Sequence, residues 1–205
     1  MIFIPFFAYS QYLLDMLRIV IFASGSGTNA ENIIKHFKNS PLATTTWVVS
    51  NNAKAGVLKR AKKLGVPSKI CDRKEMLTES FLDFLKEEAD FIVLAGFLLK
   101  VPETIIKAFP DGIINIHPAL LPKYGGKGMY GMNVHEAVVA NNEPVTGITI
   151  HYVNEHYDEG AIIFQKSVGL TKSDNAAGVA AKIHVLEQEN FPHVIEQILK
   201  ERNES

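Results

Sequence analysis

The chain has 205 residues, 47% of them hydrophobic, with 21 Lys and Arg against 22 Asp and Glu and a formal net charge of −1. That size and composition suit one domain with a sizeable core, and the interspersed, near-balanced charge leaves no footprint for nucleic acid. Cys71 is the single cysteine and the seven His include no His-Glu-x-x-His set, so disulfides and a metal are not expected and a reducing, cytoplasmic setting is.

Residues 1–15 (MIFIPFFAYSQYLLD) are apolar and aromatic, without Lys or Arg. They lack the basic start and cleavage site of a secretory signal and fall short of the ~20 apolar residues of a membrane span. They read as an N-terminal extension outside the core, or as a segment docked on its surface, with residues 16–205 as one domain.

Residues 17–23 (LRIVIFA) form the continuous apolar run of a central parallel strand. Ser24-Gly-Ser-Gly-Thr-Asn29 follows, and Ile33, Ile34 and Phe37 then give residues 30–38 helical spacing. Strand, glycine loop and helix together cradle a phosphate: glycines admit the anion to the backbone, and free N–H groups at the helix N-terminus meet it. Thr28 or Asn29 is expected to cap that helix or to offer its own polar group to the phosphate. Gly25-x-Gly27-x-x-Ala30 also fits a relaxed dinucleotide fingerprint, whose companion acid should end the second strand. That strand, residues 44–49, ends in Ser50-Asn51-Asn52 with no carboxylate, which favours a phosphate monoester.

A basic amphipathic helix is expected over residues 54–64, closed by Gly65, then a short strand over 66–71. Residues 75–88 read as one helix burying Met76, Leu77, Phe81, Leu82, Phe84 and Leu85. A buried strand over 91–95 and a short helix over 103–109 lead to residues 112–116, a β-branched strand stopped by Pro118. Alternation puts Asn115 and His117 on one side of that strand and Ile114 and Ile116 on the other. An amide and an imidazole thus stand at the carboxyl end of a strand, where open α/β sheets bind ligands. Residues 123–133 (KYGGKGMYGMN) suggest a mobile, glycine-rich lid, followed by a helix from His135. Strands over 146–153 and 161–168 have no helix between them and predict an antiparallel pair. Ser173 or Asp174 should cap a last helix interrupted at Pro192. The alternation predicts an α/β fold: one Rossmann-like, doubly wound, mostly parallel sheet with helices on both faces.

Ser24-Gly-Ser-Gly-Thr-Asn29, Leu94-Ala-Gly-Phe97, Asn115-Ile-His-Pro-x-Leu-Leu-Pro122 and Asp158-x-Gly160 resemble, in that order, the motifs of the phosphoribosylglycinamide formyltransferase family. The Asn-x-His-Pro motif is common to folate-dependent formyltransferases and formyltetrahydrofolate hydrolases, and the glycine loop selects this family among them. The resemblance implies formyl transfer from 10-formyltetrahydrofolate, a co-substrate, to the primary amine of glycinamide ribonucleotide. It implies no metal, no nucleic acid and no membrane, and a monomer or homodimer in the cytoplasm. Asn115, His117 and Asp158 would be catalytic: the Asn115 amide and a charged His117 would stabilise an oxyanion, and Asp158 would raise the His117 pKa. Gly27, Thr28 and Asn29 would hold the ribonucleotide phosphate and Glu187 its ribose. Folate would meet Arg73, the stretch Leu98, Leu99, Lys100 and Val101, Asn115, and the loop Asn154, Glu155, His156, Tyr157 and Asp158. Leu99 stands where the family usually has a basic residue, and the loop at 123–133 is longer than is typical. The alternatives are a formyltetrahydrofolate hydrolase, another folate-dependent formyltransferase, or a non-catalytic phosphate- or folate-binding module.

Overall fold

The computed structural model describes residues 16–204, so the expected extension at 1–15 lies outside the described residues. Seven strands, β1 Leu17–Phe22, β2 Ala43–Ser50, β3 Ser68–Ile70, β4 Phe91–Leu94, β5 Ile113–His117, β6 Val145–Tyr152 and β7 Ile162–Gly169, form one sheet in the order β3-β2-β1-β4-β5-β6-β7. β3 through β5 run parallel, β6 is antiparallel to β5, and β7 is antiparallel to β6. The expected parallel sheet with an antiparallel end is therefore present, and the change of sense falls between β5 and β6.

The helices are α1 Thr28–Phe37, α2 Gly56–Leu64, α3 Glu79–Glu88, α4 Glu103–Ala108, α5 Met132–Ala140 and α6 Ala176–Asn203. They explain why β1 is apolar at every inner position. Ile19 and Ile21 face a core shared with α1, α2 and α6, while Val20 and Phe22 face a second core with α3 and α4. A strand covered on both faces has no wet side on which to place polar residues. No described helix is long and apolar enough to cross a membrane.

Three local readings are corrected. Residues 75–88 are not one helix: Glu75–Leu77 is a single 3₁₀ turn, and Thr78 N-caps α3 by accepting from the Phe81 N–H at 3.3 Å. A threonine hydroxyl serves better as a cap than inside a helix, and the break leaves Leu77 68% exposed instead of buried. Asn175 caps α6, accepting from the Gly178 N–H at 2.9 Å, while Asp174 is engaged by Thr171 and Lys182. Pro192 does not interrupt α6. Its missing N–H frees the Gln188 carbonyl, and the Asn32 side-chain amide of α1 donates to that carbonyl at 2.8 Å.

Chain order turns outward in both directions from β1, making the gap between the carboxyl ends of β1 and β4 the switch point of the sheet. The two loops leaving it are tied together. The Ser24 N–H donates to the Gly96 carbonyl at 3.0 Å, and the Leu98 N–H to the Ser24 hydroxyl at 2.9 Å. In β5, Asn115 sits opposite Leu94 of β4 and His151 of β6, and His117 opposite Thr149.

Candidate active site

The glycine loop enters α1 through Gly27, whose φ of 80° is left-handed. A side chain there would also collide with Val57 of α2, since an added Cβ would lie 2.5 Å from the Val57 Cβ. No side chain among the described residues caps α1. Neither Thr28 nor Asn29 is the cap: both lie inside the helix, and Asn29 reaches across to α6. Its amide donates to the Glu187 carboxylate at 2.9 Å and its carbonyl accepts from Gln188 at 2.6 Å. The first-turn N–H groups of α1 thus have no side-chain cap among the described residues, an arrangement that suits an anion. Burial holds the Glu187 carboxyl above its usual range, with the Asn29 bond and then His184 pulling the other way.

Asn115, His117 and Asp158 come together at the end of β5. The His117 Nε2 bonds the Tyr124 carbonyl at 2.8 Å, so that nitrogen carries the hydrogen, and Nδ1 lies 3.5 Å from Asp158 Oδ2. Asp158 Oδ2 also accepts from the Gly126 N–H at 2.8 Å. Asp158 is itself held at a φ of 57°, unusual for a residue with a Cβ. Tyr124 and Gly126 belong to the loop read as a lid; its first half is therefore bonded to both candidates.

Burial pushes the His117 imidazole below the usual histidine range, and the Asp158 charge and the Tyr124 carbonyl only partly offset it. Asp158 raises the His117 pKa as expected, but the net direction is down, so the resting ring is neutral at neutral pH. The expected imidazolium is thus not the form that burial favours at rest. For Asp158 burial works upward, but the His151 and His117 rings beside it and the Gly126 N–H together outweigh it and hold the carboxyl low.

Two further histidines were not singled out in the sequence. His151 donates Nδ1–H to the Tyr152 carbonyl at 2.8 Å, so its Nε2 accepts from the Asn115 amide at 3.1 Å and fixes that amide's orientation. The same Nε2 lies 3.6 Å from Asp158 Oδ1. His135 of α5 is only 6% exposed, its Nδ1 has no partner among the described residues, and burial followed by the His117 charge pushes its pKa down. The signal for His151 was present in the alternation of β6, where Thr149 and His151 point one way and Ile148 and Ile150 the other. Nothing in the spacing marked His135.

A cavity of about 470 Å³ joins these parts, with the glycine loop, Asn29 and Glu187 at one end and Asn115, His117, His135 and Asp158 at the other. Leu98 lines it as well. A smaller pocket of about 70 Å³ lies beyond, lined by Leu99, Lys100, Val101, Asn154 and His156. Asn115, Tyr157 and Asp158 line both. The Lys100 ammonium stands 5.8 Å over the Tyr157 ring, linking the two loops that frame the small pocket. Arg73 and Glu155 are exposed and line neither space. Arg73 rides on a turn tied by Asp72 to the Lys74 and Glu75 N–H groups, and Glu155 on one tied by Asn154 to the His156 N–H.

Residues 17–195 match the family described as formyl transferase. Phosphoribosylglycinamide formyltransferase from Bacillus subtilis is 34% identical over 191 residues, covering 90% of this chain and 95% of the relative. The chloroplastic enzyme of that name from Vigna unguiculata is 38% identical over 200 residues, covering 94% of this chain. The chain spans 64% of that plant protein and 66% of the one from Arabidopsis thaliana. Among solved structures, glycinamide ribonucleotide transformylase 1 from Symbiobacterium toebii superposes with a TM-score of 0.82 at 29% identity, covering 92% of this chain and 90% of the other. Phosphoribosylglycinamide formyltransferase from Bacillus halodurans gives 0.80 at 35% identity, covering 89% and 95%.

Proposed function

The chain belongs to the formyl transferase family, and we propose that it transfers the formyl group of 10-formyltetrahydrofolate to the primary amine of glycinamide ribonucleotide. The observation that carries this reading is one cavity with an anion cradle at one end and Asn115, His117 and Asp158 at the other. A phosphate on the uncapped start of α1 sets the ribose beside Glu187 and directs the amine toward β5. Folate enters from the smaller pocket, and its formyl group meets the amine at the shared wall of Asn115 and Asp158. Both ligands are small molecules, and the folate is consumed as a co-substrate.

The chemistry then follows from the resting protonation. Amine attack on the formyl carbon creates a tetrahedral oxyanion, to which the Asn115 amide donates the N–H that His151 does not use. The attacking nitrogen must shed a proton. A neutral His117 takes it, and the imidazolium that results sits beside the Asp158 carboxylate. The same proton goes to the folate nitrogen as the carbon–nitrogen bond breaks, releasing tetrahydrofolate. No covalent enzyme intermediate is needed.

Mixing the protein with 10-formyltetrahydrofolate, with and without glycinamide ribonucleotide, and following tetrahydrofolate release tests this assignment. Release should require the ribonucleotide. Equal release without it would make the protein a hydrolase, and no release with both ligands bound would make it a binding module.

A further inference from the structure

A cluster of side chains able to ligate a metal ion lies outside the cavity, where α1 and α6 pack together. His36 on α1 and His193 and Glu196 on α6 each offer a ligand atom, all within 4.8 Å of one another. The His36 Nε2 is 2.8 Å from Glu196 Oε2, and the two imidazole rings meet edge to face with centroids 4.9 Å apart. None of the three lines either cavity. His36 stands nine residues beyond Gly27, roughly 13 Å along the α1 axis.

We propose that His36, His193 and Glu196 bind a transition-metal ion of the zinc type. Two imidazoles and one carboxylate suit such an ion, with water in the fourth position, whereas calcium and magnesium prefer all-oxygen sites. Tetrahedral zinc with bonds near 2.0–2.2 Å needs ligand atoms about 3.3 Å apart. The separations present, from 2.8 Å to at most 4.8 Å, bracket that value, and His193 is exposed. His193 and Glu196 are three residues apart on α6 and share one face.

The distance between the two helices is set by other bonds. Asn32 donates to the Gln188 carbonyl, Gln188 to Asn29, and Asn29 to Glu187, at 2.8, 2.6 and 2.9 Å. The ligands are therefore brought together before any ion arrives, which lowers the ordering cost of binding. Lys200 holds the other carboxylate oxygen of Glu196 at 2.7 Å, orienting Oε2 toward the histidines. A bound ion would staple α1, whose N-terminus carries the glycine loop, to α6, which carries Glu187 six residues before His193.

Zinc ion alone, titrated against a chromophoric chelator into chain carrying no added histidines, tests the site at a pH above the usual histidine range. One equivalent should bind and raise Tm. His193→Ala and Glu196→Gln should each weaken binding at least about tenfold and abolish the rise. Asp158→Asn should keep both, because its carboxylate serves the other histidine pair. Neither variant at the helix crossing alters a buried apolar side chain, and the metal-free melt checks that each is folded. Unchanged binding in both folded variants would overturn the site, as would loss of binding in Asp158→Asn or no binding to the wild type.

Discussion

Burial and the Asp158 carboxylate pull the His117 imidazole in opposite directions, and burial prevails. If the neutral ring accepts the amine's proton, kcat should fall on acidification, with a midpoint below the ordinary value of about 6.5. Asp158→Asn keeps a residue that tolerates the left-handed φ and removes the charge that raises the pKa. The His117 midpoint should then move lower still, and kcat should drop by at least about a hundredfold, the scale of acid–base and electrostatic groups. Ring-proton NMR of His117 against pH checks the first part, and an unchanged midpoint would remove Asp158 from its electrostatic role. Strand alternation was enough to read Asn115 and His117 as partners, because a period of two needs only neighbours. The direction of the His117 shift was not legible, since it depends on burial by residues far along the chain. Neither was the Asn29–Glu187 bond, which spans 158 positions.

The glycine loop separates two demands that its motif merges. Gly27 must be glycine for its φ and its contact with Val57, so a charge placed there would disturb packing as well as phosphate. Gly25 also lines the cavity, but an added Cβ there meets nothing within 4 Å. Gly25→Asp should therefore leave Tm unchanged and folate binding intact. Ribonucleotide binding should weaken at least about tenfold, from a like-charge repulsion of roughly 1–4 kcal/mol. Calorimetry with each ligand decides; equal loss of both would contradict a phosphate cradle. Midway along α1, Asn32→Ala removes the partner of the Gln188 carbonyl. A stranded carbonyl costs about 1–3 kcal/mol, or a Tm lower by roughly 2–10 °C. An unchanged Tm would show that water replaces the amide. Proline at 192 reads as a break in the sequence because a helix rule considers only its own ladder, whereas the missing bond is supplied from α1. Thr78 shows the reverse case: the cap was present in the sequence, but apolar spacing on both sides of it read as one helix.

Across the molecule, the order of strands and helices was legible because the central strands carry their own apolar signatures, whereas the site depends on what the fold brings to the switch point. His117 and His135 are both buried with lowered pKa values, which couples the site to stability. In the unfolded chain both protonate near 6.5, while in the fold they protonate only at lower pH. The unfolded state thus binds more protons below that pH, and stability should fall as pH drops through this window. His135→Gln should flatten the fall, as measured by denaturant unfolding between about pH 7 and 5. The most direct test of formyl transfer follows an isotopically labelled formyl carbon on 10-formyltetrahydrofolate through a single turnover with glycinamide ribonucleotide. The label should pass to the ribonucleotide's amine, equal in amount to the tetrahydrofolate released, and Asp158→Asn should slow that transfer. Label recovered as free formate, at the same rate with or without the ribonucleotide, would contradict it.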